Sequence, residues 1–494
     1  MALSIILAVS FILFIAHIIY QSWSQQNKYK SLPPGPTPIP VVGTPQYLRL
    51  RDAIGNYNML SKQYGRIFTI WKLSEPVIVL CGYEMIKAGL MDYPEEVSER
   101  PFLPVFEVAT KGYAINGVRW RPLRRFSLLT LRNLGMGKRA VEVKMLAETK
   151  QLVKALADTA GKPFNASMYT STIVINTMAT ILFRSRFDYL DERLPELLET
   201  IARHVHGVNS PLSTLCNFVP GLLHIPQIRH KVIKDSEYLQ EFVAECIKPN
   251  IETFSMSVPP RDFIDHFLLK IKEVEHEKDS AFCDTSLLMV TVSLLVGGTE
   301  TTSTSLKFAM VLLANYPEIQ AKAQQEIDEY IKNSRQLEIE DRPQLPYTNA
   351  VLHECQRILD VAPTAYFHSN VEEIKIKDYT IPKGSTLIPF LTSALRDPTE
   401  WETPEEFNPG HFLTEDGQFC TKPAFLPFSA GKRGCPGHWL ARMQLFIVFA
   451  ALVQNFTFKM PPGEPRRDFK TLNKRKQYYM REAEICAEYR HARN

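Results

Sequence analysis

The sequence is short of most features that mark a specialised chain. It has only eight cysteines in 494 residues, at positions 81, 216, 246, 283, 355, 420, 435 and 486, and no two stand in a C-x-x-C spacing. That excludes a disulfide scaffold and fits reduced thiols facing the cytosol. It also lacks a charge excess: 57 Lys and Arg against 53 Asp and Glu leave a net +4. Binding nucleic acid by bulk charge is thereby excluded, although local basic patches are not. Internal repeats and low-complexity tracts are absent, and with 45% hydrophobic and 22% charged residues the composition is that of a folded chain.

The N-terminal end departs from this balance. From Ala2 to Tyr20, 16 of 19 residues are apolar and none is charged, the exceptions being Ser4, Ser10 and His17. As a helix this stretch covers roughly 30 Å, one hydrocarbon core. No Lys or Arg precedes it, whereas Lys28 and Lys30 follow, so charge asymmetry places the rest in the cytosol. Without a basic n-region or an A-x-A site, residues 1–22 are expected to be a retained signal anchor. LPPGPTPIP (Leu32 to Pro40) makes 23–45 a stiff linker. Residues 46–494 then read as one large domain.

Within it, strand signals are local. RIFTIWK (66–72) and VIVLC (77–81) read as a hairpin, and IKIKDYTIPKGSTLI (374–388) as another turning at Pro-Lys-Gly. Helical periodicity dominates elsewhere, for example over 140–158 and 318–333. The longest helix is expected from Asp284, as N-cap, to Tyr316, stopped by Pro317. Apolar nearly all round, it belongs at the centre of the domain. The fold class is mainly α with a small β portion.

Chemistry concentrates in FSAGKRGCPG (Phe428 to Gly437), which delivers one thiol to the start of an apolar helix. Gly431, Gly434 and Gly437 permit positive φ angles and close approach of a flat ligand. The N–H groups and dipole of the following helix, with Lys432 and Arg433, favour a thiolate at Cys435, a soft metal ligand. A structural cysteine and a zinc site using Cys435 and His438 remain alternatives. LLVGGTETTSTS (294–305), in the long helix, is poor core filling and invites a local widening where a small ligand could lie. Hydroxyls bonding back to carbonyls four residues earlier are the plainer alternative. Glu354 and Arg357 in HECQR stand at i,i+3 and can pair. GMGKRA (135–140) has no strand before it and is rejected as a dinucleotide-binding turn.

FSAGKRGCPG resembles the haem-ligating loop of the cytochrome P450 superfamily, F-x-x-G-x-R-x-C-x-G, at Phe428, Gly431, Arg433, Cys435 and Gly437. RRFSLLTLRNLGMGK resembles the animal microsomal branch called family two. The resemblance implies the P450 fold, with haem between the long helix and the helix after the cysteine. Cys435 would be the axial ligand of the haem b iron, and Arg433, Trp120, Arg124, His368 and Lys111 would serve the propionates. Gly297, Glu300 and Thr301 match the oxygen-activation motif, with Glu300 and Thr301 delivering protons to bound O2. Glu354 and Arg357 would form a buried network with His411, where the family usually has Arg. Val296, Val361, Ala362, Thr364 and Ala365, with Pro101 to Val108, would line the substrate cavity. Arg121, Arg125, Arg132, Lys138, Arg139, Lys432 and Arg442 would dock an acidic reductase.

His438 departs from the family's usual Glu. The implied activity is a monooxygenase of the endoplasmic reticulum, hydroxylating or epoxidising a lipophilic molecule. Its electrons would come from NADPH through an FAD/FMN cytochrome reductase, with cytochrome b5 as a further partner. No nucleic acid is implied. The alternatives are an O2-independent isomerase on the same fold and a non-catalytic haem carrier or sensor. Residues 209–227 would touch the bilayer.

Overall fold

The structure is a computed structural model. It describes residues 53–490 except 115–116, 118, 135–138, 189–190, 209, 332–334 and 475–481; before 53 it describes Ala16, Tyr20, 31–39 and 42–44. The expected anchor apart from Ala16 and Tyr20, residues 23–30, 40–41 and 45 of the linker, and Lys138 lie outside the described residues. These group into two compact units, Met1–Phe102 with Ala362–Glu400 and Pro423–Gly434, and Leu103–Val361 with Trp401–Lys422 and Cys435–Asn494. The chain passes repeatedly from one to the other, so no composition break marks either.

The first unit carries most of the β-structure. Ile67–Lys72 and Glu75–Cys81 pair antiparallel as expected, turning at Leu73, which holds a φ of 55°. The strand Glu75–Cys81 then pairs in parallel with Thr386–Phe390, whose other edge takes His368–Ser369. The expected hairpin over 374–388 is therefore split. Ile374–Ile376 and Tyr379–Ile381 pair around Lys377, and the Pro-Lys-Gly turn sends the chain into the larger sheet instead. The proline-rich segment packs here: Thr69 N–H donates to the Pro34 carbonyl at 2.9 Å and its hydroxyl to that of Pro33 at 2.8 Å.

The second unit is helical. Its axis is the helix Asp284–Asn315, capped by Cys283 rather than Asp284: Cys283 N–H donates to Ser286 Oγ at 2.9 Å in a capping box. It stays α-helical throughout, without the widened turn that its Gly-Gly pair suggested. Its most extensive partner is Ala166–Phe183, and His438–Asn455 and Pro346–Leu359 pack on it as well. Gly298 permits the first of these contacts, because a Cβ there would stand 2.7 Å from Met178 Sδ. Ala166–Phe183 is long and apolar enough to cross a membrane, but 72% of it is buried within the protein, as befits a core helix. A small sheet of Phe164–Asn165, Glu484–Tyr489 and Phe456–Lys459 completes this unit.

Candidate functional site

In the second unit, Cys435 lies just before the helix His438–Asn455. The residue is accessible to water, yet enough protein surrounds it that burial pushes its thiol pKa up. Two effects oppose that rise: the nearby Gly437 backbone amide and the Arg124 guanidinium both favour the charged sulfur. The cation that reaches the sulfur thus comes from the helix Trp120–Asn133, where Trp120 and Arg124 are both buried. Burial lowers the Arg124 pKa, and the charge on Cys435 opposes this. Lys432, expected to help, is spent on an ion pair with Glu95. Gly437 has a φ of −92°, so its backbone does not demand glycine; a Cβ there would meet nothing within 4 Å, which leaves room beside the thiol. Of the three loop glycines, only Gly431 has a positive φ, 70°, and a Cβ there would lie 2.4 Å from the Leu90 carbonyl oxygen.

The central helix opens on one side. From Leu294 to Asn315 its accessible positions are Gly297, Gly298, Glu300, Thr301 and Ser305. Gly297 and Thr301 are the most exposed, one turn apart, and a Cβ on Gly297 would meet nothing within 4 Å. The Thr301 hydroxyl donates to the Gly297 carbonyl at 2.9 Å, so its oxygen is presented outward as an acceptor. Glu300 accepts a long 3.5 Å contact from Thr304. Val296 is buried on the same helix, and Val361 is half-buried.

Glu354 and Arg357 form a closed network in this unit, both fully buried at 0% exposure. Arg357 Nε and Nη2 donate to the two Glu354 oxygens at 2.7 Å, and the guanidinium also donates to the Pro404 and Glu406 carbonyls at 2.9 Å. The Asn408 N–H completes the carboxylate at 2.9 Å. His411 lies beside this pair, with Nδ1 3.3 Å from Glu354. The Thr403 N–H donates to His411 Nε2 at 3.2 Å, so Nε2 is bare and Nδ1 holds the proton. The imidazole is neutral, and the cluster carries one charge of each sign.

In the first unit, His368 and Arg433 are both buried. His368 Nδ1 donates to the Val97 carbonyl at 2.8 Å, while its Nε2 is buried with no hydrogen-bond partner among the described residues. Burial, with Arg100 and Arg433 nearby, pushes the His368 pKa down to about 3. Arg433 donates to the Ser98 carbonyl at 2.8 Å, and Arg100 to those of Tyr366 and Phe367 at 2.6 and 2.8 Å. Two guanidiniums beside the orphaned Nε2 of the His368 ring fit an anionic group. Arg100 was not singled out in the sequence, since only the fold brings it beside His368. Phe428 and Thr364 are half-buried here, and Ala365 is buried. Lys111, in the second unit, is exposed with a φ of 52°, capping the helix Pro104–Thr110.

The docking cations divide. Arg139 is held by Glu338 in two bonds of 2.8 and 2.7 Å and by Glu142 at 3.2 Å, so its charge is spent within the chain, as is that of Lys432. Arg121, Arg125 and Arg132 are exposed along one face of Trp120–Asn133, and Arg442 is half-buried.

Residues 33–481 match the family described as Cytochrome P450. The chain is 40% identical to mouse (Mus musculus) cytochrome P450 2C29 over 446 residues, 90% of this chain and 91% of that one. It is 40% identical to hamster (Mesocricetus auratus) cytochrome P450 2C25, covering 88% and 90%, and 40% to rabbit (Oryctolagus cuniculus) cytochrome P450 2C3, covering 91% and 92%. A match across nearly the whole chain, on a helical body with a small sheet, identifies it: the chain belongs to the cytochrome P450 family, in its microsomal family-two branch, as a haem-thiolate monooxygenase that uses O2 and NADPH electrons delivered by a reductase.

Proposed function

We propose that Cys435 is the ligand to the haem iron and that the open face of the central helix at Gly297 and Thr301 is where O2 and substrate meet it. The observation that carries this reading is the pairing, within one unit, of an accessible thiol next to a helix start with an accessible turn on an otherwise buried helix. Bound haem supplies the redox and oxygen-activating chemistry. In the second unit, Arg124 and Trp120 would hold an acid side chain of that group; in the first unit, taken by itself, Arg433 and His368 offer an anion site of the same chemistry. An anion beside His368 would raise its pKa from the low value that burial and two guanidiniums impose, making Nε2 a donor.

Thr301 and Glu300 carry protons. The Thr301 hydroxyl, bonded to Gly297, accepts a hydrogen bond at its oxygen and passes its own proton on when it rotates; Glu300 restores it from solvent. Glu354, Arg357 and His411 are structural, since every strong donor and acceptor among them is directed at another group of the cluster or at nearby backbone.

The substrate class is a lipophilic small molecule, a xenobiotic, steroid or fatty acid, hydroxylated or epoxidised against Val296 and Val361. Residues 1–22 anchor the chain in the endoplasmic reticulum membrane with the catalytic body in the cytosol. The segment Pro211–Phe218 and the turn Pro220–His224 add a second contact: Cys216 and Leu223 pack inward while Leu215, Val219 and Ile225 face outward. Arg121, Arg125 and Arg132 receive the acidic reductase, and cytochrome b5 shares that face. The test is reconstitution with the reductase: NADPH-dependent oxygenation of one of these lipophilic classes supports the reading, and oxidase activity without product from any of them contradicts it.

A further inference from the structure

One residue of the cysteine loop has no task in this reading. His438 stands where the family commonly has Glu, and its Nδ1 lies 3.0 Å from the Cys435 carbonyl oxygen. A carbonyl oxygen only accepts, so Nδ1 carries the proton and donates. Between them, Pro436 has no N–H, so the first amide after the cysteine cannot reach the sulfur as a donor. The amide that acts on the sulfur is that of Gly437. Its direction depends on the Cys435–Pro436 peptide plane, whose carbonyl His438 grips. The imidazole is itself braced: the Trp439 ring packs on it at 5.1 Å and 41°, although Trp439 is 63% exposed. A large exposed indole that covers this ring, at a helix start, is difficult to explain by helix stability alone.

We infer that His438 is a positioning residue for the Cys435 thiolate: its Nδ1–H locks the Cys435 carbonyl and so holds the Gly437 N–H on the sulfur. The inference rests on the reading of Cys435 as the iron ligand and goes beyond it by naming what sets the donor strength of that ligand. An N–H···S bond withdraws electron density from a thiolate, so loosening it makes the sulfur a stronger donor and moves the iron reduction potential negative.

The test uses the full-length holoprotein with His438→Ala, His438→Gln and His438→Glu. The readouts are the reduction potential, the lifetime of the thiolate-type Soret band of the ferrous carbonyl, and the thermal midpoint. Ala and Glu are expected to shift the potential negative and to shorten the band lifetime about fivefold, the factor carried by a hydrogen bond of about 1 kcal/mol. Gln, which can donate to the same oxygen, is expected to recover most of both. Glu separates positioning from helix support, because an acid in the first turn favours the helix and should leave the thermal midpoint unchanged or higher. Coincidence of all variants with the unsubstituted protein in potential and lifetime, or a Gln variant as impaired as Ala, overturns the inference. If the unsubstituted protein shows no thiolate-type band at all, the ligand reading fails and takes the inference with it; a band whose lifetime is indifferent to His438 overturns the inference alone.

Discussion

Two helices of the same unit treat their polar residues in opposite ways. On Pro346–Leu359 the charged pair Glu354–Arg357 is sealed, with His411, Asn408 and two backbone carbonyls closing every strong valence. On Asp284–Asn315 the polar run around Gly297 and Thr301 is left accessible, with the Thr301 hydroxyl turned back onto its own helix. Both runs are costly in a core, and the difference fits the separate roles proposed for them. A polar group that serves the fold is satisfied by the fold, whereas one that serves a reaction keeps a valence for something that arrives later. Adjacent glycines repeat the contrast: Gly298 is closed by Met178, and Gly297 faces open space.

The contrast can be broken by substitution. Arg357→Ala leaves the Glu354 carboxylate buried and unpaired, and should cost about 3–5 kcal/mol, seen as loss of folded, haem-containing protein. Survival of a stable holoprotein would mean that the network is not sealed.

Lys307, buried farther along the central helix and held by Asn165 at 2.9 Å and Ser167 at 2.6 Å, tests whether a buried charge there is tolerated at a cost. Burial, against the opposing pull of Glu482 and Glu300, pushes its pKa down from 10.5 to about 8. Between these values the unfolded chain holds a proton that the folded chain does not, so stability rises with pH across that window. Below about pH 8 both states hold it and the full penalty applies. Relative to Lys307→Met, the unsubstituted protein should therefore gain up to about 3 kcal/mol between pH 8 and 10.5 in denaturant titrations. A flat difference would contradict this.

Thr301→Ala should leave haem content and stability unchanged while product per NADPH falls, with the proton-dependent step slowed on the order of 10²-fold. Unchanged coupling would place Thr301 with the structural hydroxyls. The smallest effects should separate the glycines: Gly298→Ala destabilises by about 1–2 kcal/mol against Met178, whereas Gly297→Ala stabilises the helix by up to about 1 kcal/mol but weakens substrate binding. Thermal midpoints and binding spectra of the two variants check the signs.

What the sequence made legible follows from distance along the chain. The cysteine loop, the i,i+3 pair, the first hairpin and the long helix are local patterns, and each appears within a few residues of its expected place. The features that eluded it depend on partners far away. Lys432 looked like a cation for the sulfur until Glu95 claimed it, and Arg139 looked like a docking charge until Glu338 did. Arg124 and Arg100 matter because the fold carries them to Cys435 and His368. The split of 374–388 was hidden for the same reason: whether Thr386–Phe390 pairs with its neighbour or with Glu75–Cys81 is settled by a strand some 300 residues earlier. The tautomer of His411 required knowing that the Thr403 N–H points at it.

All of this presupposes that the accessible thiol beside Gly437 is the iron ligand. The direct measurement is the carbon-monoxide difference spectrum of the reduced protein, recorded for the unsubstituted chain and for Cys435→Ser. The account predicts a thiolate-type Soret band in the first and none in the second. A band that survives the substitution, or an unsubstituted protein that binds haem without it, would contradict the account.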